Sequence, residues 1–298
     1  MVNVDLITVL NCQCELGEGA YFSHRLQCAF WVDIYGCRIH SMDWQSQQTE
    51  TISVPEPVCW IKETAEGQLI AGFASGIYTL DTNLQPQTLV WQLPEAEKHN
   101  RLNDAKVDRQ GNLYFGTMDK SEQSDSGNLY LLNNVKAAQI IDSGYVVSNG
   151  PAFDPAGNVI YSVSSKERVI FAVTLDENQN VIAKRPHIHL TPSQGYPDGL
   201  TVDSEGNLWV CAWDGNAVLR FAPDGTLLQT VRFPIPRVTS ITFAGPQLEH
   251  IIVTTARTGL SESTLNHSPD SGNTFVLKTT ARGIKDKMAN LDTNVAAF

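Results

Sequence analysis

A short motif recurs along this chain, and it constrains the fold more than any other feature. Three clear copies read DRQGNLY, DPAGNVIY and DSEGNLW, beginning at Asp108, Asp154 and Asp203. A weaker copy begins at Ala65, and degenerate copies begin at Arg25 and Gln247. The first strand residues of the six units lie 40, 44, 46, 49 and 43 positions apart, at Ala29, Leu69, Leu113, Val159, Leu208 and Ile251. Six units of this length account for the whole chain.

Each unit has the pattern of short β-strands, in which alternating apolar residues are interrupted by Gly, Asn and Asp. No stretch shows the sustained periodicity of a helix. Four short strands in about 45 residues are typical of one propeller blade. The sequence therefore predicts an all-β fold, a six-bladed β-propeller, with residues 1–298 in a single domain. The first residues, around Val4 to Val9, should close the ring by pairing with a C-terminal strand near Thr274 to Thr279.

Composition excludes several classes of protein. With 42% hydrophobic and 18% charged residues among 298, the chain has enough apolar surface for a large core. A formal net charge of -11 argues against nucleic acid as a partner, and is compatible with a neutral small molecule or a divalent cation. No signal-peptide pattern or long apolar run is present, so we expect no membrane partner. The six cysteines form no Cys-x-x-Cys pair, which indicates mostly buried thiols and a cytoplasmic location.

Equivalent positions of the six units can be read from the repeat. Counting back eight residues from the motif glycine, or from the residue in the same register, reaches one position in each unit. These positions are Glu18, Cys59, Asn103, Asn149, Asp198 and Thr239. An alternating apolar segment follows, as Leu200 and Val202 follow Asp198. Each position should therefore lie at the start of the first strand of its blade, and we call that end of the propeller the mouth.

In a propeller the first strands line the central channel, so the six positions should converge near the axis. Four of them, Glu18, Asn103, Asn149 and Asp198, carry the side-chain oxygens that hard divalent cations prefer. Taken singly, Asn149-Gly150 and Pro197-Asp198-Gly199 are also turn sequences, and Glu18 is also typical of a solvated loop. The common register favours a cation site, because turns alone do not call for a glutamate there.

Other residues of chemical interest are weighed against this ring. Arg101 precedes Asn103 by two residues and should project toward the same mouth, where a guanidinium can bind substrate oxygens. Its alternative role is a surface ion pair. Cys59 shares the register but is expected to be a packed neighbour, and His187 and His189 are expected on an exposed hairpin. The chain has no Gly-x-Ser-x-Gly elbow and no glycine-rich phosphate loop.

The segments around these positions resemble the regucalcin and gluconolactonase family, also called the senescence-marker-protein family, with its luciferin-regenerating-enzyme-like sugar lactonases. The resemblance runs in order along nearly the whole chain. The matching segments are Leu16-Gly-Glu-Gly-Ala, Trp31-Val-Asp-Ile, Arg101-Leu-Asn-Asp, Gly116-Thr-Met-Asp, Ser148-Asn-Gly-Pro, Pro197-Asp-Gly-Leu-Thr-Val-Asp, Gly206-Asn-Leu-Trp-Val and Val253-Thr-Thr-Ala.

The resemblance implies one divalent metal ion held by Glu18, Asn149 and Asp198. It also implies that Arg101 and Asn103 contact the substrate. Ca2+ is the first expectation for the ion, with Zn2+, Mn2+, Mg2+ or Fe2+ as alternatives, because three oxygen ligands discriminate poorly between divalent cations.

Two features of the chain depart from the family pattern. Ala20 and Tyr21 stand where family members usually have a proline and an aromatic residue. Some members also have a substrate-contacting glutamate just beyond Gly-Thr-Met, and here Asp119 and Glu122 flank that place. The sequence does not choose between these two carboxylates.

The reaction implied by the resemblance is metal-dependent hydrolysis of a gluconolactone-like aldonolactone to the aldonic acid. A cation would polarise the lactone carbonyl, and Asp198 is the expected general base. The expected partner is therefore a small sugar lactone, and the protein is expected to be a monomer or a weak homo-oligomer. Two other functions stay open, a non-catalytic calcium-binding regulator and a protein-interaction scaffold, although a scaffold gives no reason for oxygen ligands in one register.

Overall fold

The computed structural model describes residues 2–134 and 136–293, and these residues form six four-stranded antiparallel sheets. Five sheets consist of four consecutive strands each, paired in chain order.

Blade 1 contains β2 (Gly17–Ser23), β3 (Cys28–Asp33), β4 (Arg38–Asp43) and β5 (Thr49–Ser53). Blade 2 contains β6 (Val58–Glu63), β7 (Leu69–Phe73), β8 (Gly76–Leu80) and β9 (Pro86–Gln92). Blade 3 contains β10 (Asn100–Val107), β11 (Leu113–Asp119), β12 (Gly127–Asn133) and β13 (Lys136–Tyr145). Blade 4 contains β14 (Ser148–Phe153), β15 (Val159–Ser164), β16 (Val169–Leu175) and β17 (Val181–His189). Blade 5 contains β18 (Tyr196–Val202), β19 (Leu208–Trp213), β20 (Ala217–Phe221) and β21 (Leu227–Arg232).

The sixth blade joins the two ends of the chain. It contains β22 (Val238–Ala244), β23 (His250–Thr255), β24 (Thr274–Thr279) and β1 (Val4–Leu10). β1 pairs antiparallel with β24, so that Val4 lies opposite Thr279 and Leu10 opposite Thr274. The predicted closure of the ring is therefore confirmed.

The innermost strands of the blades surround a common axis. Each of β2, β6, β10, β14 and β18 contacts the innermost strand of the next blade, and β22 returns to β2. Apolar side chains fill the space between the sheets, and Trp31, Trp60 and Trp209 are fully buried there. The six-bladed β-propeller predicted from the repeat is confirmed.

The repeated motif forms the turn between the first and second strands of a blade. In each clear copy the aspartate carboxylate accepts hydrogen bonds from the backbone N–H groups two and four residues further on. The aspartates are Asp108, Asp154 and Asp203. This local bonding explains why Asp, Gly and Asn recur, because the side chain replaces partners that the turning backbone lacks.

Helices are few and short in the described residues. α1 (Glu262–His267) lies between β23 and β24, and the Ser261 hydroxyl caps it by accepting from the Thr264 N–H. Glu95–Glu97 and Pro192–Gln194 are single 3-10 turns. No helix in residues 2–134 or 136–293 has the length and apolar character that crossing a membrane requires. His187 and His189 lie on β17, the outermost strand of its blade, away from the channel.

Residues 280–293 cross the end of the channel opposite the ring of predicted site residues. The N–H of Gly283 donates to the carbonyl of Leu248, and the N–H of Ala289 donates to that of Glu63. Lys106 on β10 forms an ion pair of 2.5 Å with Asp286 of this segment. The segment therefore ties blades on both sides of the axis together.

We expect the repeat aspartates to contribute unequally to stability, because only one of them also binds a buried arginine. Asp203 accepts from the guanidinium of Arg220 at 3.0 Å and from the indole of Trp209 at 3.0 Å. Asp203→Ala should therefore lower the free energy of unfolding by about 3 kcal/mol, since it leaves the buried Arg220 with only the exposed carboxylate of Glu205, 3.3 Å away, as its partner. Asp154→Ala, which removes only the turn hydrogen bonds, should cost about 1 kcal/mol. Urea denaturation measures both values, and equal losses would contradict this explanation.

Candidate functional site

All six positions identified from the repeat lie on innermost strands. They are Glu18 on β2, Cys59 on β6, Asn103 on β10, Asn149 on β14, Asp198 on β18 and Thr239 on β22. In every blade the pairing of the first and second strands is interrupted at this position. An interruption of this kind redirects a side chain. The repeated irregularity therefore turns one residue of each blade out of regular strand geometry.

Glycines beside the ring allow the innermost strands to approach each other. Gly19 has a φ of +58°, and a Cβ there would lie 2.5 Å from the carbonyl oxygen of Cys59 on the next blade. A Cβ on Gly199 would lie 2.8 Å from the carbonyl oxygen of Thr239. The alternative interpretation of Asn149-Gly150 and Pro197-Asp198-Gly199 as turns is wrong, because both sequences lie within strands.

A cavity of about 380 Å³ opens at this end of the channel. Its lining includes Glu18, Arg101, Asn103, Asn149 and Asp198, so the structure brings together every residue proposed from the sequence as a ligand or substrate contact. All five side chains are at least nine-tenths buried. The volume lies within the range of small-molecule sites.

The other two ring positions join neighbouring blades. The Cys59 thiol donates to the carbonyl of Leu102 at 2.9 Å, and the Thr239 hydroxyl donates to the carbonyl of Gly17 at 2.5 Å. Neither side chain belongs to the cavity lining. Cys59 is therefore a packed neighbour, as predicted from the sequence.

The two ring carboxylates are buried without cationic partners. Burial raises the pKa of Glu18 well above its ordinary value, and the charges of Asp198 and Asp104 raise it further. Burial raises the pKa of Asp198 in the same way, with the charge of Asp104 as the next cause. Across residues 2–134 and 136–293, neither carboxylate takes part in an ion pair. The site therefore has unbalanced negative charge.

The donor set of this site fits a hard divalent cation. Two carboxylates and the amide of Asn149 line one cavity, and carboxylate and amide oxygens suit Ca2+ or Mg2+ better than softer ions. No group of three or more His, Cys, Asp or Glu side chains is placed to hold a metal in the part of the chain that the structure describes. The ligand set of Glu18, Asn149 and Asp198 is not a group of this kind, because its third donor is an amide.

Hydrogen bonds connect the polar side chains of the cavity. Arg101 Nη1 donates to Asn103 Oδ1 at 2.6 Å and to the carbonyl of Leu102 at 2.8 Å. Asn103 Nδ2 donates to Asn149 Oδ1 at 2.7 Å, and Asn149 Nδ2 donates to the hydroxyl of Ser165 at 3.0 Å. Arg101 has a positioned partner inside the cavity, and its alternative role as a surface ion pair is wrong.

The structure gives Asp119 and Glu122 different roles, between which the sequence does not choose. The Asp119 carboxylate accepts from the Ser121 hydroxyl at 2.6 Å and from the N–H groups of Gln123 and Ser124, so it shapes its own loop. The hydrogen bond from Ser121 and those from the backbone lower the pKa of Asp119. Glu122 lines the cavity and forms an ion pair of 2.9 Å with Lys166.

The rim of the cavity comes largely from the loops between second and third strands, of whose residues only Glu122 was identified from the sequence. Tyr35, Glu122, Lys166, Asp214 and Thr258 lie in these loops of five different blades. The loops differ in length, so the repeat identifies where each loop begins but not which of its residues faces the cavity. Arg237 completes the rim from the segment before β22, with its guanidinium 4.5 Å from the centre of the Trp213 ring and 2.9 Å from Asp214.

Known proteins resemble this chain in sequence and fold along most of its length. The family model described as "SMP-30/Gluconolactonase/LRE-like region" matches residues 16–257. The 6-deoxy-6-sulfogluconolactonase of Pseudomonas putida is 30% identical over 96% of this chain and 99% of its own length. The L-arabinolactonase of Azospirillum brasilense is 30% identical over 90% of each chain. The crystal structure of a calcium-binding protein, regucalcin, from Agrobacterium tumefaciens has a TM-score of 0.90, with 24% identity over 96% of this chain and 98% of that one.

The unpaired carboxylates should make the metal-free protein less stable at high pH. Folding raises the pKa of Asp198 above its value of about 4 in the unfolded chain, so the folded protein keeps this carboxyl protonated to higher pH. The resulting stability is fully present below a pH of about 4 and is lost as the pH rises through the pKa of the folded state. Asp198→Asn should therefore stabilise the chelated protein at pH 8, by about 1.4 kcal/mol for each unit of pKa elevation. The advantage should shrink toward pH 4. Urea denaturation across this range measures it, and a less stable variant at pH 8 would contradict the assignment.

Proposed function

Since the chain belongs to the SMP-30/gluconolactonase/LRE-like family, we propose that it is a metal-dependent sugar lactonase, a hydrolase that opens an aldonolactone to the aldonic acid. The observation that carries the proposal is the pair of buried, unpaired carboxylates beside Arg101 in one cavity. Two relatives with names of sugar lactonases, each 30% identical, support the reaction class.

Glu18, Asn149 and Asp198 are the residues that would hold the divalent cation. We propose Ca2+ first, with Zn2+, Mn2+, Mg2+ or Fe2+ as alternatives. When bound there, the cation supplies polarisation of the lactone carbonyl and stabilisation of negative charge on its oxygen. The same charge would balance the two carboxylates, whose pKa values are raised by burial and by the charge of Asp104.

Asp198 is the proposed general base. It accepts the proton of the water that attacks the carbonyl carbon, and it returns that proton to the ring oxygen as the carbon–oxygen ester bond breaks. The products are one hydroxyl and one carboxylic acid, which ionises near neutral pH. The position of Asp198 supports this role, because its carboxylate lines the same cavity as Arg101 and Asn103, the proposed sugar contacts.

Arg101 and Asn103 are proposed to contact the sugar. Only Nη1 of Arg101 bonds to protein atoms among the described residues, so its other N–H groups are available to substrate hydroxyls. At the rim, the Glu122–Lys166 and Asp214–Arg237 pairs each offer both donors and acceptors. Such pairs suit a neutral polyhydroxyl compound, in accord with a small sugar lactone as the partner.

A non-catalytic calcium-binding regulator is the second candidate, because one close structural neighbour is described as a calcium-binding protein. A regulator would share the cation site but would need no base and no contacts for sugar hydroxyls. Hydrolysis of a lactone therefore separates the two functions.

Metal-loaded protein should acidify a weakly buffered solution of a five- or six-carbon aldonolactone, because ring opening releases an acid. A pH indicator follows the reaction, and treatment with a chelator should reduce the rate to that of buffer alone. Reloading with single metals should restore activity and identify the preferred ion. Chelated protein that hydrolyses lactones at the full rate would contradict the proposal, and metal-loaded protein without activity on any aldonolactone would favour the regulator.

Glu18→Gln provides the matched test of the ligand set. It keeps the shape of the side chain but removes one negative charge, so cation binding and activity should fall together. Glu15→Gln is the control, because Glu15 lies three residues earlier, is 54% exposed and faces Arg257 instead of the cavity. Equal effects of the two substitutions would contradict the site.

A further inference from the structure

The amide of Asn149 is held at both ends by protein side chains. Its oxygen accepts from Asn103 Nδ2 at 2.7 Å, and its nitrogen donates to the Ser165 hydroxyl at 3.0 Å. The two ends of an amide are nearly the same shape, so hydrogen-bond partners decide which end faces a given group. Only the oxygen end can bind a cation.

The orientation of Asn103 is fixed by two partners that each have one possible role. Arg101 can only donate, so the atom of Asn103 that faces it at 2.6 Å must be the oxygen. The Ser148 carbonyl can only accept, so the atom that faces it at 2.7 Å must be the nitrogen. The remaining N–H of Asn103 then points at Asn149 and requires an oxygen there.

These contacts leave Asn103 without a free donor. Its two N–H bonds go to Ser148 and Asn149, and its oxygen already accepts from Arg101. The side chain is 8% exposed, so water cannot easily replace these partners. Reversal of the amide would place its nitrogen against the Arg101 donor and its oxygen against the Ser148 carbonyl. Contact with a substrate hydroxyl is therefore limited to the one remaining lone pair of its oxygen.

We propose that Asn103 is a positioning residue for the cation site, and that Arg101, acting through Asn103, keeps the amide oxygen of Asn149 available as a ligand. This inference rests on the proposed function, because it takes Asn149 as a metal ligand. It adds that cation binding depends on two residues for which the family resemblance implies only substrate contact. Groups that orient metal ligands in this way typically affect metal affinity 10- to 100-fold.

Calorimetric titration of chelated protein with Ca2+ tests the proposal without measuring activity. Asn103→Ala should weaken Ca2+ binding by about tenfold, because the Asn149 amide is then free to reverse. Ser165→Ala should have a smaller effect, since Asn103 still requires an oxygen at its end of the amide. Arg101→Met distinguishes the two effects of this side chain by the direction of the change in affinity. Removal of a positive charge should by electrostatics alone tighten cation binding. Loss of the positioning group should instead weaken it, and weaker binding is what the proposal predicts.

Asn207→Ala is the matched control. Asn207 is also a buried asparagine with several hydrogen bonds, but it binds Asp203 in the repeat turn at the opposite end of blade 5. It should lose stability in thermal unfolding while keeping wild-type Ca2+ affinity.

Wild-type Ca2+ affinity in Asn103→Ala, or unchanged or tighter binding in Arg101→Met, would overturn the positioning role and leave the metal site intact. Wild-type protein that binds no divalent cation would instead overturn the proposed function, and this inference with it.

Discussion

Glu18 and Asp198 are forced into one small, largely buried space because six innermost strands converge on a common axis. In that space their charges repel each other, and Asp104 adds a third negative charge that raises the pKa of both. Low-dielectric surroundings make unpaired charge costly. Gly19 and Gly199 let neighbouring innermost strands pack closely beside these carboxylates. The excess of negative charge at the mouth is thus a consequence of the closed ring.

The far end of the channel has charges too, but there the protein supplies the partners. Lys106 pairs with Asp286 of the crossing C-terminal segment, and the ammonium of Lys62 lies 4.9 Å from the centre of the Tyr21 ring. Burial lowers the pKa of Lys62 to about 8, while the charge of Asp286 acts in the opposite direction. A cavity of about 420 Å³ also opens at the far end, but cationic and anionic side chains, among them Lys106 and Asp286, line it together. This difference favours the mouth as the place for an external ion and a small ligand.

Much of the fold and of the candidate site could be predicted from the sequence, because both depend on the repeat. The strand count, the closure by β1 and the common position of Glu18, Asn149 and Asp198 all follow from equivalent residues in equivalent units. The repeat does not encode what differs between blades. Lys166 and the Asp214–Arg237 pair lie on loops of unequal length, where register is lost.

Other features depend on contacts between distant segments, which a single sequence does not reveal. The path of residues 280–293 across the channel follows from backbone hydrogen bonds to several blades. The bond from Asn103 to Asn149 joins two blades, and only its geometry shows that one amide orients the other. α1 has six residues, too few to show helical periodicity.

The central claim is that the carboxylates of Glu18 and Asp198 and the amide oxygen of Asn149 hold one cation. Anomalous diffraction from crystals grown with Mn2+ tests it most directly, because the signal locates the ion independently of any chosen ligand set. We expect one strong peak at the mouth of the channel, with all three oxygens at roughly 2.0–2.6 Å. A peak elsewhere, or none at the mouth in crystals that contain the metal, would contradict the account.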